Sequence, residues 1–299
     1  MSRALRISGI VVGSLVGLIV LVGASGYVAS SSRINRVYQI TPPPLVIPND
    51  SASIAHGKHF ATAFAMCVDC HGADLSGGLV ADDPAFGRIP AVNLTRASSG
   101  VGAKLTDADW VRAIRDGLRP DGTPIPIMPS DVYAKLGDAD IAAIIAYAKS
   151  VPGVEKTWPT LRYGPIGRAL LVAGKLPLFP AEVVDHKAPP VKTPPAGVTV
   201  EYGTYLATGC RGCHGPGLSG GPVPGTPPTF APARDITPAG IGDWEEQDFF
   251  RVMREGVRPG GMKLDAFMPY RFTKFMTDDE LRAIFTYLKT VPRKDYGNR

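Results

Sequence analysis

Cys67-Val68-Asp69-Cys70-His71 and Cys210-Arg211-Gly212-Cys213-His214 are two copies of one five-residue pattern, and together they use all four cysteines of the chain. Two thiols at this spacing lie one helical turn apart, which suits the two vinyl groups of a porphyrin, and the next residue sets an imidazole under the iron. C-x-x-C-H is the attachment pattern of c-type haem. It predicts two covalent haem c groups, with Cys67, Cys70, Cys210 and Cys213 as thioether donors and His71 and His214 as proximal iron ligands. Other uses of four cysteines fit less well. A four-thiolate zinc site joins its C-x-x-C pairs through about 15–20 residues, whereas these pairs stand in separate repeats, each followed by His. Structural disulfides would leave both histidines unexplained, and a thioredoxin-like pair needs a βαβ context that the flanks do not show.

The motifs belong to a longer internal repeat, a better guide to architecture than local propensity. Residues 67–78 read CVDCHGADLSGG against CRGCHGPGLSGG at 210–221; RAIRDGLRPDG at 112–122 matches RVMREGVRPGG at 251–261; Met128-Pro129 matches Met268-Pro269. Three helices are expected in each unit. The first leads into the motif, from about Ser53 and about Glu201, with Gly57 matching Gly203. The second follows the capping-box signal Thr106-x-x-Asp109 and carries Trp110, Ile114 and Leu118 at helical spacing, with Phe249, Met253 and Val257 as counterparts. The last runs from Asp138 to Ser150 and from Asp278 to Thr290, the latter behind Thr277-x-x-Glu280; its apolar stripes are core. The expected fold class is all-α: an anchor at 1–32, a stalk at 33–50, units at 51–152 and 200–299, and a Pro-rich connector at 153–199 that wraps or spaces them. Within the connector, residues 168–173 suit a short helix on a neighbouring surface or near a bilayer. The 34 glycines and 29 prolines point to long, turn-rich loops, in which covalent porphyrins supply much of the apolar core.

No charged residue interrupts the run between Arg6 and Arg33. Ile7 to Val28 is longer than the ~7–15 residues of a signal-peptide core and matches the ~20 that span a bilayer. An uncleaved anchor is expected, although Ala24-Ser25-Gly26 and Ala29-Ser30 offer a signal peptidase small residues. The arginines ahead of the run place the N-terminus in the cytoplasm and everything after Arg33 outside it. The net charge of +5 collects beside this run and in the connector, so no basic face for nucleic acid is implied.

A haem with His on one face needs a partner on the other. In the first unit Met66 adjoins Cys67 and cannot reach round the ring, which leaves Met128. The second unit offers Met253, Met262, Met268 and Met276, and repeat register selects Met268. Both precede a proline, which stiffens the presenting loop. His56 and His59 remain alternatives for the first haem; His59 aligns with Tyr205, which favours packing roles. His186 in the connector is read as solvated. Trp244, Asn93, Arg96 and Arg234 are candidates for the haem propionates.

At these residues the sequence resembles a known family. Asp235-Ile236-Thr237-Pro238, Gly240-Ile241-Gly242-Asp243-Trp244, Arg254-Glu255-Gly256-Val257 and Phe267-Met268-Pro269-Tyr270, more loosely matched in the first unit, are similar to membrane-bound multihaem cytochrome c subunits of periplasmic alcohol and gluconate dehydrogenases. The resemblance covers residues 51–292. It implies two tandem class I cytochrome c domains, covalent haem c and electron relay to a respiratory chain. Those subunits typically carry three haems, against two motifs here. The expected function is an inner-membrane, periplasm-facing dihaem cytochrome without catalysis of its own. It would pass electrons from a dehydrogenase or quinol-oxidising complex to a terminal oxidase or soluble cytochrome. The alternative is a dihaem peroxidase with one open site, which the near-equivalence of the units disfavours.

Overall fold

The computed structural model describes residues 3–227 and 229–298. Met1 and Ser2 of the expected anchor, and Pro228 and Arg299 of the expected second unit, lie outside the described residues. The chain opens with α1 (Arg3–Ile34), whose 32 residues extend roughly 48 Å at ~1.5 Å each. It is long and apolar enough to cross a membrane.

The first unit holds α2 (Ser51–Ala63), α3 (Cys67–His71), strands β1 (Gly78–Asp83) and β2 (Gly87–Ala91), α4 (Asp107–Val111) running into a π-helical turn at Arg112–Asp116, α5 (Ser130–Tyr133) and α6 (Asp138–Ser150). The connector adds β3 (Arg162–Tyr163) and α7 (Pro165–Val172). The second unit holds α8 (Val200–Leu206), α9 (Cys210–His214), α10 (Pro238–Ile241), α11 (Glu246–Glu255), α12 (Tyr270–Thr273) and α13 (Asp278–Thr290). Local chemistry sets the helix starts. Asp50 accepts from the Ser53 amide, and reciprocal capping boxes close at Thr106/Asp109 and Thr277/Glu280, satisfying amides that the first turn leaves without partners.

In each unit the first helix crosses the last. The crossing is so close that a Cβ on Gly57 would land on the Ala143 carbonyl, and one on Gly203 on the Ala283 carbonyl. Ile141, Ile145, Leu281, Ile284 and Leu288 are buried beneath these crossings, and one continuous apolar cluster runs through both units.

One feature departs from expectation, and a second decides between two readings. The fold is helix-rich but not all-α: β1, β2 and β3 form an antiparallel three-stranded sheet in that order. Asp83 turns the hairpin by accepting from the Ala85 and Phe86 amides at 2.8 and 2.9 Å. Most of β1 is exposed, with a bulge between Leu79 and Ala81, so the period-2 alternation that would reveal a half-buried strand is missing. Secondly, the connector wraps the first unit. The Trp158 indole donates to Ser76 O at 2.9 Å, the Ile127 amide to Leu178 O at 2.8 Å and the Asp138 amide to Val191 O at 3.0 Å. Leu171, Leu178 and Phe179 form a small second core.

Candidate functional site

The two C-x-x-C-H segments are single-turn helices, α3 and α9, followed by the same loop. Gly72 and Gly215 take φ of 78° and 81°. The Leu75 and Leu218 amides donate back to Gly72 O and Gly215 O, both at 3.0 Å, and the Gly77 and Gly220 amides donate to His71 O and His214 O at 2.7 and 2.9 Å. Leu75 and Leu218 are left-handed at φ 58° and 62°, a conformation costing a residue with a Cβ about 1–2 kcal/mol. Burial of both side chains offsets it. Each leucine carbonyl then receives the returning chain, from the Leu94 and Ile236 amides at 2.9 Å each.

That return positions the imidazoles. His71 Nδ1 lies 2.8 Å from Val92 O, and His214 Nδ1 lies 2.6 Å from Arg234 O. A carbonyl only accepts, so Nδ1 carries the proton in both and the Nε2 lone pair remains for a metal. Burial holds the His71 imidazole below its ordinary pKa, against the opposing pull of the Val92 carbonyl. Burial also pushes the Cys67 thiol up to about 12 and the Cys210 thiol to about 11. Such surroundings suit sulfur in uncharged thioethers and penalise thiolate ligands. Among the described residues no three His, Cys, Asp or Glu side chains converge on a common metal position, so the two C-x-x-C pairs do not meet as a zinc site. Donor chemistry and geometry therefore fit haem c.

Met128 and Met268 sit at equivalent places, half-buried against the apolar cluster that also receives Cys67 and Cys210. The loop leading to each starts alike and differs at its end, where Ile127 is left-handed at φ 66° and the second loop is one residue longer. Gly117 and Gly256 end the preceding helix at φ 66° and 68°. The Ile125 and Leu264 amides then donate to Gly117 O and Gly256 O, both at 2.7 Å, and α5 or α12 follows the Met-Pro pair. Met253 and Met276 are buried core and Met262 is exposed. His56 Nε2 is 2.6 Å from Asp140 and His59 Nε2 is 2.8 Å from Glu280, so both are engaged by carboxylates.

Two sequence readings need correction. Asn93 is a brace: its Nδ2 donates to Val154 O at 2.8 Å and its Oδ1 accepts from the Thr95 amide at 2.9 Å. His186 is not solvated; its nitrogens meet Asp116 Oδ1 at 2.8 Å and Ala181 O at 2.9 Å. Val154 and Asp116 lie 61 and 70 residues away in sequence, and no local signal announces them.

The sequence also gave no sign of how the units meet. Tyr205 OH donates to Asp140, while His59 reaches Glu280 in the opposite sense. His59 and Tyr205 are equivalent in the repeat, as are Asp140 and Glu280, so the contact has approximate two-fold symmetry. Phe64 and Ala65, just before Cys67, and Thr208 and Gly209, just before Cys210, line one narrow cleft. Arg271, following Met268, pairs with Asp69 inside the first motif at 2.8 Å. The two attachment loops thus face a common boundary.

Residues 52–147 match the family model described as cytochrome c oxidase, cbb3-type, subunit III, and residues 200–292 match that of cytochrome c. Both units are cytochrome c domains. Domains of this kind hold haem c covalently and transfer electrons. Across its length the chain is 31% identical to the alcohol dehydrogenase (quinone) cytochrome c subunit of Gluconobacter oxydans (83% of this chain, 56% of the relative). It is 28% identical to the fructose dehydrogenase cytochrome subunit of Gluconobacter japonicus (81% and 53%), and 29% identical to a dihaem c-type cytochrome of Cereibacter sphaeroides (76% and 82%). The chain spans about half the length of the dehydrogenase subunits it matches.

Proposed function

We propose that this chain is a membrane-tethered relay carrying two haem c groups, which takes electrons from a dehydrogenase or quinol-oxidising complex outside the inner membrane. It passes them to an oxidase or soluble cytochrome. In this reading Cys67, Cys70, Cys210 and Cys213 hold the porphyrins, His71 and His214 bind iron from one side, and Met128 and Met268 bind it from the other. The units are residues 51–152 and 200–299, and α1 is the anchor. The observation that carries the reading is duplication of the site: both imidazoles are pinned through Nδ1 by a returning carbonyl, and both methionines follow a loop that starts with the same amide bonded to the helix-ending Gly carbonyl. Bound haem supplies the one-electron couple. His71 and Met128 would hold one iron and His214 and Met268 the other, and the two attachment loops face the boundary between the units. Names of the relatives support a dehydrogenase donor. A peroxidase would need one methionine withheld, whereas both are half-buried against the same apolar cluster.

Met128→Ala and Met268→Ala test this. Each is expected to convert one low-spin haem to a form that binds carbon monoxide when reduced, leaving the other unchanged. Unaltered spectra in both variants would remove the ligand assignment, and a pyridine haemochrome count other than two per chain would remove the relay.

A further inference from the structure

Helix α7 carries its apolar residues on the side a soluble helix turns to water. Gly167 and Leu171 form its buried face; Gly167 lies so close under the hairpin tip that a Cβ there would meet the Phe86 carbonyl. Opposite them Pro165, Ile166, Ala169, Val172 and Ala173 are exposed and Leu170 is half-exposed, with no polar side chain among them. A surface helix in water ordinarily shows charges there. Arg168, the helix's one charged residue, is turned onto α1, donating to Ser30 Oγ at 2.9 Å and Ser31 Oγ at 3.0 Å and stacking 4.5 Å over Tyr27. Arg33 adds a second fastening, to Glu182 at 2.8 Å and to the Leu171 carbonyl.

These contacts fix α7 beside residues 27–34, where the apolar run of α1 ends. Phe86 at the hairpin tip is 53% exposed and joins the same edge, since the Ile166 amide donates to Ala85 O at 2.9 Å. Exposed Arg162 donates to the Pro84 and Asp83 carbonyls beside the tip, where Asp82 and Asp83 are exposed as well, and exposed Lys175 follows α7. An uncharged apolar face flanked by cations, beside an aromatic at the end of a spanning helix, matches an interfacial helix, which sinks ~5–10 Å into the boundary between headgroups and acyl chains.

We propose that α7 and the Phe86 hairpin tip lie in the lipid interface, holding the first cytochrome c unit against the membrane while the second stands off it. The inference rests on α1 being an anchor. Continuity with α1 selects lipid as the occupant: a bilayer around Ile7 to Val28 meets the apolar edge without any further partner.

The test uses the full haem-loaded chain in nanodiscs of phosphatidylcholine and phosphatidylglycerol, a lipid-borne diazirine probe, and peptide mass spectrometry. Labelling is expected in residues 7–28, in 163–175 and at Phe86, and not in α13. Labelling of 7–28 without 163–175 overturns the interfacial placement and leaves the anchor standing; labelling of neither overturns both. The double substitution Ile166→Glu, Val172→Glu changes only exposed side chains. With its haem spectrum intact, it should lose labelling at 163–175 and keep it at 7–28; undiminished labelling at 163–175 also overturns the proposal.

Discussion

The two cytochrome c units share a skeleton and differ in what covers it. Around the first, the stalk and connector cover much of the approach to Met128, leaving Ile127 and Pro129 exposed: the Tyr38 amide donates to Gly122 O at 3.0 Å, Leu178 takes the Ile127 amide, and Gly122, Pro124 and Pro126 are buried. Around the second, Met262, Lys263, Asp265, Ala266 and Phe267 are exposed on the way to Met268. There Phe230 stands edge-on to Phe267 at 5.2 Å. The repeat thus fixes the attachment loops and the methionine positions, and chain outside the repeat sets how far each methionine loop is covered. Access and local dielectric are levers on haem potential and ligand entry. In the Met→Ala pair described above, carbon monoxide should therefore reach the second unit faster than the first; equal rates would show that the covering of the first unit is no barrier.

The largest effects should fall where the units agree. Gly57→Ala and Gly203→Ala each drive a methyl into the backbone of the crossing helix, and both are expected to cost more than about 4 kcal/mol. Thermal unfolding followed by haem absorbance checks this. A Gly57→Ala variant that melts near the parent while Gly203→Ala does not would mean that the wrapped unit tolerates a wider crossing.

The boundary between the units separates them next. Asp140 is 1% exposed in its side chain and accepts from His56, Tyr205 and Thr193. Asp140→Ala leaves the buried Tyr205 hydroxyl and the part-buried Thr193 hydroxyl without that acceptor, and about 2–3 kcal/mol is expected. Glu280, more exposed, holds His59 and caps its own helix at the Thr277 amide. Glu280→Ala should cost about 1–2 kcal/mol, mainly through the cap. Denaturant titration of both variants decides it; equal losses would show that the two-fold contact is energetically symmetric as well as geometrically so.

Features legible in the sequence are those carried by local chemistry or by the repeat. Helix α13 begins behind Thr277's capping box because caps act within a turn; α6, whose N-cap Gly137 makes no side-chain cap, is placed by its register with α13, and Gly57 and Gly203 stand out the same way. The hairpin was not legible, because β1 has two exposed faces and so no alternation. Nor were Leu75 and Leu218 as left-handed residues, since their strain is compensated by burial that only the folded core provides. Proline content showed the connector to be stiff without saying what it lies on; the docking depends on contacts such as Trp158 to Ser76 and His186 to Asp116, distant in sequence.

The smallest expected effect concerns pH, and it too distinguishes the units. The hydrogen bond to Asp140 raises the His56 pKa above 6.5, outweighing partial burial. Burial alone would raise the Glu280 pKa, but the His59 hydrogen bond and the Thr277 amide bring it below 4.5. The signs are opposite. Charged His56 is favoured by folding, so its contribution is complete below pH 6.5 and fades as pH rises through the raised folded value. Ionised Glu280 is likewise favoured, so its contribution is complete above pH 4.5 and fades as pH falls through the lowered folded value. The His56 side chain is 45% exposed, which keeps its share to under about 1 kcal/mol after solvent screening. Unfolding free energy measured across the His56 titration should decline towards alkaline pH in the parent and run flatter in His56→Gln. A decline of the same size in that variant would locate the titrating group elsewhere and leave the Asp140 side of the boundary insensitive to pH.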